Sequence, residues 1–85
     1  MIDDKELNEK IAGMLGWKAT CKTNFLAPER IHDLLDLADK VLVCWQIRSD
    51  NDRYEASAYD ILTVFGPTPS LALARAIVAH KEVSG

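Results

Sequence analysis

The run Gly66-Pro67-Thr68-Pro69-Ser70-Leu71-Ala72-Leu73-Ala74-Arg75-Ala76-Ile77-Val78 constrains this chain more than any other stretch. Gly66-Pro67 stops whatever precedes it. Thr68 is placed to accept the first free N–H groups of a helix, and Pro69 suits the first helical position, where no N–H is needed. Leu73, Ala74, Ala76, Ile77 and Val78 give that helix a broad apolar face, with Ala72, Arg75, Ala79 and Glu82 expected opposite. Small alanines let it sit close to a sheet. The implied architecture is a helix returning over strands made earlier in the chain, with Val83-Ser84-Gly85 frayed at the end.

Two further helices are legible upstream. Asp3 is a candidate N-cap, Glu6 stands three residues on, and Leu7, Ile11, Met14 and Leu15 form one stripe, so a helix is expected over residues 4–15. Gly16 is placed to end it in a left-handed conformation, with Trp17 folding back as a core anchor. Residues 18–27 show no clean period and read as a long connection. The second helix starts near Pro28. Ile31, Leu34, Leu35, Ala38, Val41 and Leu42 line its apolar face, and Glu29, Asp33, Asp36 and Lys40 line its polar one.

The β-structure lies between. Val41 to Arg48 reads as a strand, Val43, Trp45 and Ile47 alternating with Cys44, Gln46 and Arg48. Ser49-Asp50-Asn51-Asp52-Arg53 is a polar turn. From Tyr54 to Phe65 the parity changes near residues 58–60, which implies a bulge or a short extra turn. The fold class is α+β, a single domain over residues 1–85. Its order is α-α-β-β-α, with a small antiparallel sheet of two to three strands packed by three helices, sandwich-like. Two strands alone are marginal, so a third comes from residues 18–27, from a split of residues 54–65, or from a partner chain.

Eighty-five residues make one domain with a thin core. Hydrophobic residues are 48% and charged residues 27%, values of a globular chain rather than a disordered one. No apolar run approaches the roughly 20 residues that span a bilayer, and Met1-Ile2-Asp3-Asp4 is acidic where a signal peptide is basic. The expected place is the cytoplasm. With 10 basic residues scattered among 13 acidic ones and a net charge of −3, the basic stripe typical of phosphate-binding proteins is missing, and general nucleic-acid binding is disfavoured.

The order of elements resembles the small phage proteins grouped as the phage ABA-sandwich domain. The residues that carry the likeness are Leu15-Gly16-Trp17-Lys18 after an acidic first helix and Thr68-Pro69-Ser70-Leu71-Ala72-Leu73-Ala74-Arg75-Ala76 near the end. The resemblance spans nearly the whole chain in order, while only its two ends match in residue type; Asn24-Phe25-Leu26-Ala27-Pro28 departs from the Ser/Thr-Asp cap associated with the central helix of that family. It implies a phage or prophage origin, an α/β sandwich and a place in the cytoplasm of a bacterial host. It implies no catalytic residue.

Motifs for chemistry are sparse. His32, His80, Cys21 and Cys44 have the right types for zinc but form neither a Cys-x-x-Cys nor a His-x₃₋₅-His pair, so no metal or cofactor is expected. Both cysteines read as free thiols, Cys44 as a buried apolar one. Asp50-Asn51-Asp52 begins like a calcium loop, but Glu55 stands where the glycine belongs and Ile61 where the closing glutamate belongs. No nucleophile elbow, phosphate loop or His-Glu-x-x-His appears, and the expectation is a protein that is not an enzyme.

The candidate contact residues are therefore surface residues. Glu29, Asp33 and Asp36, with Asp39, form an acidic helix face able to meet a basic partner; its plain reading is a solvated face, where Asp36–Lys40 attraction and Glu29–Asp33 repulsion are each worth about 0.2–0.5 kcal/mol. Trp45 on a covered strand belongs to the core. Arg48 and Arg53 flank the polar turn, and one of Tyr54 and Tyr59 faces away from the core. The leading expectation is a phage accessory protein that binds a host or phage protein, one form being an inhibitor of a host defence system or enzyme. The alternatives are a nucleic-acid module using Arg48, Arg53 and a tyrosine, and a structural homodimer pairing open sheet edges.

Overall fold

In a computed structural model the described residues are 3–17, 23–59 and 61–84. Helix α1 is Asp4–Met14, a 3₁₀ turn is Pro28–Arg30, and helix α2 is Ile31–Val41. Strands β1 (Gln46–Asp50), β2 (Arg53–Ala58) and β3 (Ile61–Gly66) follow, then helix α3 (Pro69–Ser84). The strands form one antiparallel sheet in the order β1-β2-β3. The third strand comes from the split of residues 54–65. Of the other candidate source, residues 18–22 lie outside the described residues and 23–27 form turns. The pairing slips between Ala56 and Ala58, at the start of the parity change seen in the sequence.

The local signals act as their chemistry dictates. Asp3 Oδ1 accepts the Glu6 N–H at 2.8 Å, Gly16 takes a left-handed φ of +83°, and Thr68 Oγ1 accepts the Leu71 N–H at 3.2 Å. Asn8 ties the long connection to α1: its Oδ1 accepts the Phe25 N–H at 2.6 Å and its amide donates to the Thr23 carbonyl at 2.9 Å. That clamp drives Phe25 into the core, where it is fully buried.

The helices do not share the sheet equally. Helix α3 lies on the sheet, and α1 and α2 pack on α3. It is the middle layer, and Ser70 through Ala74 and Ala76 through Val78 are all buried. Ala72, expected on a wet face, is fully buried. An apolar helix with little face preference belongs between two layers, because only there does every side find cover. Its close seat on the sheet is set by Gly66, where a Cβ would stand 2.7 Å from the Ala72 backbone nitrogen. On the sheet face turned to α3, Ile47, Ala56 and Val64 form one cross-strand row.

Three expectations need correction at the exits of the first two helices. Helical structure holds through Val41 because that side chain continues the buried stripe of Leu34, Leu37 and Ala38, so no strand runs from Val41. Cys44 takes a φ of +53° where the chain turns toward β1, and it is exposed rather than a buried thiol. Trp17 does not sink into the core; it stays 47% exposed and sets its ring edge against Phe25, centroids 5.4 Å apart. Trp45 is half-buried against the core, its indole N–H donating to Asp39 Oδ1 at 3.1 Å.

Candidate functional site

The sheet has one face on α3 and one face open. Successive side chains of a strand point to opposite faces, so the row beside Ile47–Ala56–Val64 belongs to the open face. That row is Arg48, Glu55 and Phe65. Arg48 Nε donates to Glu55 Oε1 at 2.6 Å, a cross-strand ion pair. Phe65 ends the row on the edge strand β3 and is 37% exposed.

Two arginines grip this one residue. The Arg53 guanidinium lies 4.0 Å from the centroid of the Phe65 ring, and its Nη2 is 3.5 Å from Asp50 Oδ2. Arg75, from α3, donates through Nη1 to the Phe65 carbonyl oxygen at 2.6 Å. Its Nη2 stands 4.0 Å from Asp4 Oδ1, the limit for an ion pair. Cation–π contact and charge-assisted hydrogen bonding both favour guanidinium over ammonium.

Beside Phe65 a groove of about 550 Å³ runs between β3, α3 and α1. Its walls are Leu7, Val64, Phe65, Val78 and Ala79, with Arg75 and Glu82 as the charged members. A neighbouring depression, lined by Lys10, Gly13, Met14 and Lys81, shares Val78 and Glu82 with it. Lys10 Nζ and Glu82 Oε1, 3.5 Å apart, bridge that shared rim. The groove is mostly apolar with a few placed polar groups, the usual make-up of a binding cleft.

Of the residues singled out from sequence, Arg53 alone joins this site. Arg48 is on the same open face but is bound to Glu55. Tyr54 is half-buried on the inner face, packed against the core. Tyr59 is 82% exposed in the β2–β3 turn, and its N–H donates to the Val43 carbonyl at 2.9 Å. So the two tyrosines do face opposite ways, Tyr59 outward. Glu29 is on the 3₁₀ turn, and Asp33 and Asp36 are on α2, the far layer from the sheet. Asp33 Oδ2 pairs with Arg30 Nη1 at 3.6 Å.

Phe65 and Arg75 were missed as site residues. Ten positions separate them, and Arg75 read as one more wet residue of a helix. Only the Gly66-Pro67 turn, which folds α3 straight back on β3, hints that they meet. Among the described residues, no group of three or more His, Cys, Asp or Glu side chains is placed to hold a metal ion, and no helix is long and apolar enough to cross a membrane; Cys21 lies outside the described residues. The site supplies an aromatic ring, guanidinium donors and apolar walls, which are means of recognition. No protein-family model, curated protein or solved structure matches this chain.

Proposed function

We propose that this chain is a non-enzymatic protein-binding module and that its working surface is the β3 side of the sheet. The observation that carries the reading is Phe65. An exposed aromatic residue is held by one guanidinium on its ring and another on its carbonyl, beside an apolar groove. Aromatic residues and arginine are enriched at protein interfaces and among the residues that dominate their energetics. On the resemblance drawn above, the partner is a host or phage protein, and inhibition of a host defence enzyme is one form the binding takes.

A nucleic-acid module using the same sheet draws less support. Phosphate binding needs cations that exchange counterions for the nucleic acid. Here Arg48 is held by Glu55 and Arg53 by Asp50 and Phe65. A homodimer through β3 edges meets Arg75 already seated on the Phe65 carbonyl, a contact that blunts edge-to-edge pairing.

Photocrosslinking tests the proposal. A benzophenone side chain placed at position 65, and in separate chains at positions 59 and 36, is irradiated in bacterial extract. Discrete protein adducts at position 65 and none at position 36 are expected. Adducts confined to position 36, or none anywhere, would overturn it.

A further inference from the structure

We infer that Arg75 guards the β3 edge: its seat on the Phe65 carbonyl keeps the chain monomeric, and a chain that lacks it pairs with a second copy through β3. The inference goes beyond the protein-binding reading and does not rest on it.

The two edges of the sheet are not protected alike. An open edge strand offers unpaired backbone groups to any other strand, and charged residues, proline, bulges or a covering element suppress that pairing. Strand β1 carries Arg48 and Asp50 among its residues. Strand β3, Ile61-Leu62-Thr63-Val64-Phe65-Gly66, has neither a charged residue nor a proline.

A bulge protects the first half of β3. Ala58 pairs with Ile61 and Ala56 with Val64, so Leu62 and Thr63 together stand opposite Ser57. Such an irregularity twists an edge and breaks the spacing that a new strand must match. Regular pairing returns at residues 64–66, opposite Ala56, Glu55 and Tyr54. The bulge does not reach that half, and Arg75 does. Its Nη1 donates to the Phe65 carbonyl at 2.6 Å, in the middle of the regular stretch. Asp4, on α1, attracts the other arm of the guanidinium from 4.0 Å. The guard thus comes from α3 rather than from the strand, and the Phe65 ring stays exposed on the open face.

Pairing meets this contact directly. The guanidinium occupies the place where an incoming N–H would bond, and hydrogen bonds to charged groups are stronger than those between neutral ones. In a two-fold pair of β3 strands each copy loses one such bond, so the deterrent acts twice. Attraction lies beside it. Val64, Val78 and Ala79 line the groove along the same edge, and a second copy would cover them. Without the guanidinium, backbone groups and apolar wall favour association together.

Sedimentation equilibrium of the full chain tests this. The parent chain is expected to stay monomeric up to about millimolar concentration. Arg75→Met keeps an apolar stem and removes the donors. It should raise the self-association constant by about a hundredfold, about tenfold for each freed edge. Amide shifts on dilution should be confined to residues 63–66. Adding Thr63→Lys, at an exposed position of β3, places a like charge on both edges and should return the chain to monomer. Association caused by a damaged core would not be reversed by a surface lysine. If Arg75→Met loses the native circular dichroism, Arg75→Gln, shorter and neutral, takes its place with the same expectation.

An Arg75 variant as monomeric as the parent would overturn the inference. So would association that Thr63→Lys leaves unchanged, or a parent chain that already pairs through residues 63–66. Photocrosslinking is read separately: adducts at position 65 together with a monomeric Arg75 variant would leave the protein-binding reading standing and remove the guard only.

Discussion

Helices α2 and α3 are each built on leucine and alanine at their buried positions, yet they have opposite relations to water. Helix α2 divides cleanly: Leu34, Leu37 and Ala38 are buried, while His32, Asp36, Asp39 and Lys40 are exposed. Helix α3 is buried on nearly every side from Ser70 to Val78, with Arg75 as its half-buried exception. The difference shows what each pattern encodes. A sharp division places a helix on the outside of a layer. A weak division, with alanine on the supposed wet face, places it between layers. The exception on α3 is then informative, because a charged side chain on a central helix has a specific partner, here the Phe65 carbonyl.

The comparison breaks most severely where charge is placed on the two helices. Ala72→Lys buries an ammonium with no partner at a fully buried site, and we expect a loss of at least 3–5 kcal/mol, about the whole stability of so small a domain. Asp36→Lys, on the exposed face of α2, should change stability by no more than about 0.5 kcal/mol. Urea unfolding of both variants checks the pair; similar midpoints would mean α3 is not central. A smaller effect sharpens how α3 is seated. Gly66→Ala drives a methyl group against the Ala72 backbone, which cannot swing aside, so a cost of about 1–3 kcal/mol is expected in the same assay. The smallest concerns how α3 begins. Thr68→Ala removes the side-chain acceptor for the Leu71 N–H and should cost about 1 kcal/mol, with Thr68→Ser recovering most of it.

Most of the fold was legible because its signals are local. Asp3, Gly16, Asn51 and the Thr68-Pro69 pair act within a few residues of themselves, through caps and turns that any context leaves intact. The strand read from Val41 failed for an equally local reason. The strand read over Val41 to Arg48, on the alternation of Val43, Trp45 and Ile47, spans a helix end and a left-handed turn at Cys44, and periodicity does not register the change of direction between them. The burial of Ala72 was hidden because a face count sees one helix at a time, whereas the cover of a central helix comes from its neighbours. The candidate site was the least legible part. Arg53 was visible as a turn-flanking cation, but the Phe65–Arg75 contact joins an edge strand to a helix, and the groove beside it also needs Leu7 from the first helix. Such a surface is written in three places in the chain and assembled only by folding.

The abutment of Gly66 on Ala72 has a mechanical consequence. Only Pro67 and Thr68 separate β3 from α3, and proline stiffens that link. The angle between strand and helix is therefore set at the corner itself, by a short link and by the backbone of Ala72 resting where Gly66 carries no side chain. Two walls of the cleft, β3 and α3, are thereby placed relative to each other by the fold rather than by what enters between them. A ligand shaped to it spends little on reshaping its host, and one that is not gains nothing from waiting.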